Sequence, residues 1–113
     1  MLSPREVAGL TVAALDEKSA RDIKVLKTED LTVLANYFVI CTATSTTHIK
    51  TLSDAVEKVL EENGETTRRK EGYRSGGWVL LDFGCVVVHL FLEEIREFYN
   101  LERLWGDAEV VSL

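Results

Sequence analysis

The chain has 113 residues, enough for one ordinary domain and too few for two. With 46% hydrophobic and 28% charged residues it reads as a globular fold, and its apolar runs are too short for a membrane-spanning helix. Nineteen acids against thirteen bases give a net charge of -6, which argues against DNA or RNA backbone as the main contact and suits a basic protein partner.

In chain order, Ser3 and Pro4 open the first helix as cap and first-turn proline, and Glu6 completes a capping-box pattern. Val7, Leu10, Ala14 and Leu15 recur at helical spacing, so a helix is predicted from about Pro4 to Lys18. Ile23 and Val25 then alternate with polar residues, as in a half-buried strand. Tyr37 to Thr42 is a continuous β-branched and aromatic run, the pattern of a central strand, with Leu31 and Leu34 seating the connection between the two. After the Thr44-Ser45-Thr46-Thr47 caps, Ile49, Leu52, Val56, Val59 and Leu60 share a helical face that Asn63-Gly64 terminates. At the start of that helix Ser45 reads as a cap and His48 as a solvent-facing side chain.

A short basic strand is predicted at about Thr66 to Lys70. A hairpin of Trp78 to Phe83 and Val86 to Leu92 follows, turning at Gly84-Cys85, and a last short helix runs from Glu93 to Tyr99. The order α-β-β-α-β-β-β-α predicts a mixed, about five-stranded α/β sheet with flanking helices, at least one parallel pair and an antiparallel terminal hairpin. The whole chain reads as one domain. Its N-terminus lacks the basic-then-apolar pattern of a secretion signal, and its two cysteines fit a reducing space, so the expected location is cytoplasmic.

The hairpin carries the functional argument. A two-residue turn pairs Phe83 with Val86, Asp82 with Val87, Leu80 with His89 and Trp78 with Phe91. Because strand side chains alternate, Val79, Leu81, Phe83, Val86, Val88 and Leu90 form one apolar face, which must be core. The opposite face carries Trp78, Leu80, Asp82, Val87, His89 and Phe91. Burying an unpaired carboxylate there is costly, whereas leaving Trp and Phe exposed forgoes roughly 1.5–3 kcal/mol each. Aromatics with a few placed polar groups are the usual anatomy of a protein-binding hot spot. The competing reading covers this face with a terminal helix and pairs Asp82 with His89. Charge is also segregated. Glu93 to Glu109 holds six acids and two bases, and Thr67 to Ser75 four bases and one acid.

Phosphate-binding glycine loops, metal-site spacings and paired acid/base carboxylates are not found, so neither a cofactor nor a metal is expected. Cys41 reads as a small core residue and Cys85 as a turn residue with nothing nearby to lower its pKa.

Taken together, Tyr37-Phe38-Val39-Ile40-Cys41, the Ser45-Thr46 helix start, Glu71-Gly72-Tyr73, Gly77 to Gly84, Val86 to Phe91, and Arg96-Glu97-Phe98-Tyr99 with Leu101, Glu102, Leu104 and Trp105 resemble the Iojap family. Its bacterial members are the ribosomal silencing factors, RsfS. The resemblance implies a nucleotidyltransferase-like fold without the catalytic residues, and a regulator in place of an enzyme. It implies binding to the large ribosomal subunit through ribosomal protein L14, obstruction of small-subunit joining, and repression of translation when nutrients are scarce. Organellar relatives act in ribosome assembly.

On this reading Trp78, Leu80, Asp82, His89 and Phe91 form the contact face, extended by Tyr99, Leu101, Glu102 and Trp105. Trp78 and Phe91 anchor it, and Asp82 and Glu102 meet Lys or Arg. Any contact of Arg68, Arg69 and Lys70 with ribosomal RNA is peripheral. The alternatives are an active nucleotidyltransferase and a homodimeric scaffold. The enzyme needs a Gly-Ser helix start and a strand-borne acidic pair, where this chain has Ala43-Thr44-Ser45 and Asp82 alone on its strand. The sequence departs from the family pattern at Asn36 and Cys85, where Asp is common, and at Ala43, where Gly is common.

Overall fold

The computed structural model describes residues 2–29, 35–74, 77–104, 106 and 108–111, and of residue 104 the backbone alone. Leu31, Leu34 and Trp105 therefore lie outside the described residues. Four helices are found among them: α1 (Pro4–Glu17), α2 (Thr46–Glu62), α3 (Glu93–Tyr99) and α4 (Leu101–Leu104). Six strands accompany them: β1 (Arg21–Lys27), β2 (Tyr37–Ala43), β3 (Arg69–Glu71), β4 (Trp78–Asp82), β5 (Val86–Leu92) and β6 (Glu109–Val110). The sheet order is β3-β4-β5-β2-β1-β6.

The expected α/β class holds, with one strand more than the five predicted. The extra strand is β6, two residues that pair antiparallel with Leu26 and Lys27, too short to leave a periodic pattern. Among the described residues the one parallel pairing is β2 with β5, all others being antiparallel. Thus the strand that follows α2 does not return beside β2. It goes to the sheet edge, and the hairpin fills the gap.

The capping box at α1 is complete. Ser3 Oγ accepts from the Glu6 N–H at 3.1 Å, and Glu6 Oε1 accepts from the Ser3 N–H at 2.9 Å. The hairpin register is the one expected, with Trp78 opposite Phe91, Leu80 opposite His89 and Asp82 opposite Val87. Its turn needs a positive φ at Gly84 (87°), where a Cβ would also collide with the Arg68 guanidinium at 2.7 Å. Cys85 is not among the residues with positive φ, so a side chain fits there without backbone strain. Ala43 is likewise an ordinary buried strand residue. Asn36 uses its difference from Asp: its Nδ2 donates to Glu29 Oε2 at 3.0 Å, a bond no carboxylate could give.

Two cores flank the sheet. The larger joins Val7, Leu15, Ile49, Leu52, Val56 and Leu60 of α1 and α2 to Val39, Val79, Leu81, Val88 and Leu90, all fully buried. The smaller lies on the other face around Leu26, Ala35, Phe38, Ile40 and Phe91, with Trp78, Ile95, Leu101 and Ala108 packed on it. His48 is not solvent-facing in the sense expected. Its Nδ1 accepts from the Thr44 N–H at 3.0 Å, and its Nε2 lies 2.7 Å from the Lys18 carbonyl, tying α2 to the end of α1. With Nδ1 an acceptor, Nε2 carries the proton and donates.

Candidate docking surface

The sheet face of the smaller core is neither open nor sealed. Its rings form a continuous series from interior to solvent. Phe38 is 9% exposed, His89 4% and Phe91 1%, Trp78 is half-buried, and Tyr99 and Phe98 reach 51% and 80%. Ring centroids along the series lie 5.0 Å apart for Phe38 and His89, 4.8 Å for Trp78 and Tyr99, and 5.1 Å for Phe98 and Tyr99. Trp78 also packs on Phe91 at 4.9 Å. Such contacts stabilise by about 0.5–1.5 kcal/mol each beyond their burial.

His89 and Phe91, expected at the contact face, are interior. Ile95 of α3 and Leu101 of α4 pack on the core that holds Phe91, and Trp78 closes over both rings. They support the surface and do not form it. The Asp82–His89 pair of the competing reading is not present either. The Trp78 indole N–H donates to His89 Nδ1 at 3.2 Å, while Asp82 Oδ1 accepts from the Gly84 N–H at 2.7 Å and braces the hairpin turn. Burial pushes the His89 imidazole down to about 4, so it is neutral at pH 7. Its Nε2 has no hydrogen-bond partner among the described residues.

Glu102 is also occupied. Its Oε1 accepts from Arg96 Nε at 2.7 Å and its Oε2 from Lys24 Nζ at 3.1 Å. Burial alone would raise its carboxyl, but those two cations outweigh burial and hold it below the usual value. Arg96 anchors the whole corner. Its side chain is 11% exposed, and a terminal nitrogen donates to the Asp22 carbonyl and to Thr42 Oγ1, both at 2.8 Å. Asp22 is reachable because β1 bulges there: three steps on β1, Arg21 to Lys24, oppose two on β2, and Asp22 takes a φ of 48°. Asn100, with a φ of 45°, ends α3 and turns the chain into α4. Arg96 therefore spans that turn and clamps α4 to the sheet.

Of the expected residues, the structure brings Trp78, Leu80, Tyr99 and Leu101 to partly exposed positions on this side. Trp105 lies outside the described residues. Phe98, the most exposed large hydrophobic residue described, was missed. Periodicity could not have found it, because Ile95, Phe98 and Tyr99 share one helical face that reads as buried. Next to α3 opens a cleft of about 610 Å³, lined by the acids Asp22, Glu93, Glu97 and Glu102 together with the cations Lys24 and Arg96. A second groove, of about 540 Å³, is lined by Phe98 and Tyr99 with Glu97, Asn100 and Arg103, so Glu97 of the acidic segment stands beside the exposed rings.

The basic run at β3 is matched internally. Lys70 Nζ lies 2.7 Å from Glu57 and 3.9 Å above the Tyr73 ring, and Arg69 pairs with Glu71 at 3.3 Å. Cys41 is sealed in the sheet, and burial raises its thiol to about 12.

Comparison with known proteins agrees with this architecture. The family described as "Ribosomal silencing factor during starvation" matches residues 2–113. The ribosomal silencing factor RsfS of Halalkalibacterium halodurans is 39% identical over 112 residues, which span 99% of this chain and 96% of that protein. A mouse protein named for mitochondrial assembly of the ribosomal large subunit is 35% identical over 85% of this chain, which covers 43% of its length. A crystal structure of a Chromobacterium violaceum protein superposes with a TM-score of 0.91 at 37% identity, covering 93% of this chain and 88% of that one. A match over the whole length, in sequence and in fold, makes this chain a member of the RsfS family of ribosomal silencing factors.

Proposed function

We propose that this chain docks on the large ribosomal subunit through ribosomal protein L14 and sterically blocks joining of the small subunit, repressing translation when nutrients are scarce. Family membership supports the ribosome as the place of action and regulation of translation as the outcome. The observation that carries the docking is the pair Phe98 and Tyr99, left 80% and 51% exposed, with Tyr99 packed on half-buried Trp78 and Glu97 lining the same groove as the two rings. An apolar anchor with an anionic rim suits a cationic protein surface, where the rim steers approach and the rings hold. Occlusion of this kind requires binding free energy and no chemistry. The internal pairing of Lys70 and Arg69 leaves ribosomal RNA a peripheral contact. In the cell the reading places the protein in the cytoplasm.

Sucrose-gradient sedimentation with purified subunits tests this. Added protein is expected to travel with large subunits and to lower the yield of joined particles. Phe98→Ala is expected to reduce cosedimentation at least tenfold with an unchanged melting temperature. Joining that proceeds undisturbed with the protein bound would overturn the occlusion. Saturable nucleotide binding with magnesium would point instead to a transferase.

A further inference from the structure

We infer that His89 is a positioning residue for Trp78: through its Nδ1 the buried imidazole holds the indole flat across the sheet face and so sets the seat on which Tyr99 and Phe98 are displayed. The inference rests on the docking surface proposed above, and deepens it by naming what orients the surface from beneath.

Four observations carry it. First, packing alone does not explain a histidine at this position. The site is 4% exposed, its neighbours Leu90 and Phe91 fill equally buried positions with hydrocarbon, and a sealed imidazole leaves Nε2 without a partner among the described residues. Buried polar groups are normally satisfied, so an incomplete set implies a compensating role. Second, that role is visible at Nδ1, which accepts the Trp78 indole N–H at 3.2 Å.

Third, the bond runs diagonally. Trp78 stands opposite Phe91 and His89 opposite Leu80, so the indole reaches along the ribbon from its own partner to the next residue on that face. In this orientation the ring makes the bond while resting on Phe91 at 4.9 Å and meeting Tyr99 at 4.8 Å. A half-buried indole N–H without a protein acceptor would turn toward water and withdraw that seat. Fourth, the backbone around Trp78 is equally constrained. Gly72, with a φ of 79°, passes so close that a Cβ there would overlap the Trp78 carbonyl.

The test is a double-mutant cycle read by cosedimentation with bacterial large ribosomal subunits. The single variants are His89→Leu, which removes the acceptor, and His89→Asn, whose side-chain oxygen can take the place of Nδ1. Each is also made in a Trp78→Phe background, where no indole N–H exists. His89→Leu is expected to weaken binding about three- to tenfold, the scale of one hydrogen bond, and His89→Asn to restore most of it. In the Trp78→Phe background the two are expected to bind alike. The indole 1H–15N resonance of Trp78 should move in His89→Leu and return toward its place in His89→Asn. A role confined to stability would not produce this pattern of rescue and dependence on Trp78. If His89→Leu does not fold, His89→Met fills the same space with a flexible apolar chain.

Unchanged binding by His89→Leu, with Trp78→Ala still weakening it, would overturn the inference and leave the docking surface standing. So would a His89→Leu defect that persists in the Trp78→Phe background. Folded Trp78→Ala and Phe98→Ala proteins that bind like the parent would instead overturn the docking surface itself.

Discussion

On one side of the sheet α1 and α2 lay 14 and 17 residues of helix across the strands, and Val39, Val79, Leu81, Val88 and Leu90 beneath them are sealed. On the other, α3 and α4 supply 7 and 4 residues, and the rings beneath grade from fully buried to largely exposed. Strand alternation delivers apolar residues to both faces with equal ease. What differs is the length of helix available to cover them and the means of holding it. The long helices dock mainly through their buried apolar faces, with polar ties such as His48 to the Lys18 carbonyl and Lys70 to Glu57 at the margins. The short ones are held by Ile95, Leu101 and the polar clamp from Arg96 to Glu102, Asp22 and Thr42. One face is therefore closed by its helices, and the other leaves Phe98 and Tyr99 exposed, as the proposed docking requires.

Perturbations of the two faces should separate accordingly. The largest effect is expected on the sealed side. Leu81→Ala deletes a fully buried side chain and should cost about 2–5 kcal/mol in denaturant unfolding, with affinity for large subunits unchanged where the variant is folded. A comparable loss of affinity would blur the distinction.

Next comes pH, which reads the other face. The folded His89 takes up a proton near 4, whereas an unfolded histidine does so near 6.5. Between those values the unfolded chain binds more protons. Stability from this group is therefore full above about pH 6.5 and falls as pH drops toward 4, by about 3 kcal/mol in all. Unfolding curves from pH 7 to 5 should show the slope in the parent and a shallower one in His89→Leu.

Arg96→Met comes third. It removes a mostly buried guanidinium and leaves Glu102 with Lys24 alone, so about 1–3 kcal/mol should be lost, with faster amide exchange concentrated in α4. Protection unchanged in α4 would mean that Leu101 packing alone holds it. The smallest change in stability is expected at Phe98→Ala, within about 0.5 kcal/mol of the parent, because that ring is already 80% exposed. The contrast between this near-zero shift and its loss of binding is the most direct separation of the two faces.

Local patterns were sufficient for much of the fold. The Ser3–Glu6 capping box, the Ser45 cap, the Gly84 turn and the alternation of Val79 to Leu90 each act within a few residues, and each stands where the sequence places it. The candidate site was less legible. Trp78 and Leu80 of the hairpin and Tyr99 and Leu101 after it stand partly exposed on the expected side of the sheet. His89 and Phe91 were assigned to the right face and the wrong depth, because alternation gives a side and says nothing of what lies on it. Asp82 and Glu102 were read as free acids, since their partners Gly84, Arg96 and Lys24 are a matter of turn geometry and long-range packing.

Charge, helix caps, strand alternation and hairpin register were thus determined by the sequence alone, because the interactions behind them are local or additive. Burial of His89 and Phe91, the addition of β6, the seating of β5 beside β2, and the exposure of Phe98 arose only when the chain closed on itself. Those depend on which segments, distant in sequence, meet in space. On the helical face they share, Ile95 packs on the core while Phe98 stays 80% exposed, a difference the pattern alone does not carry.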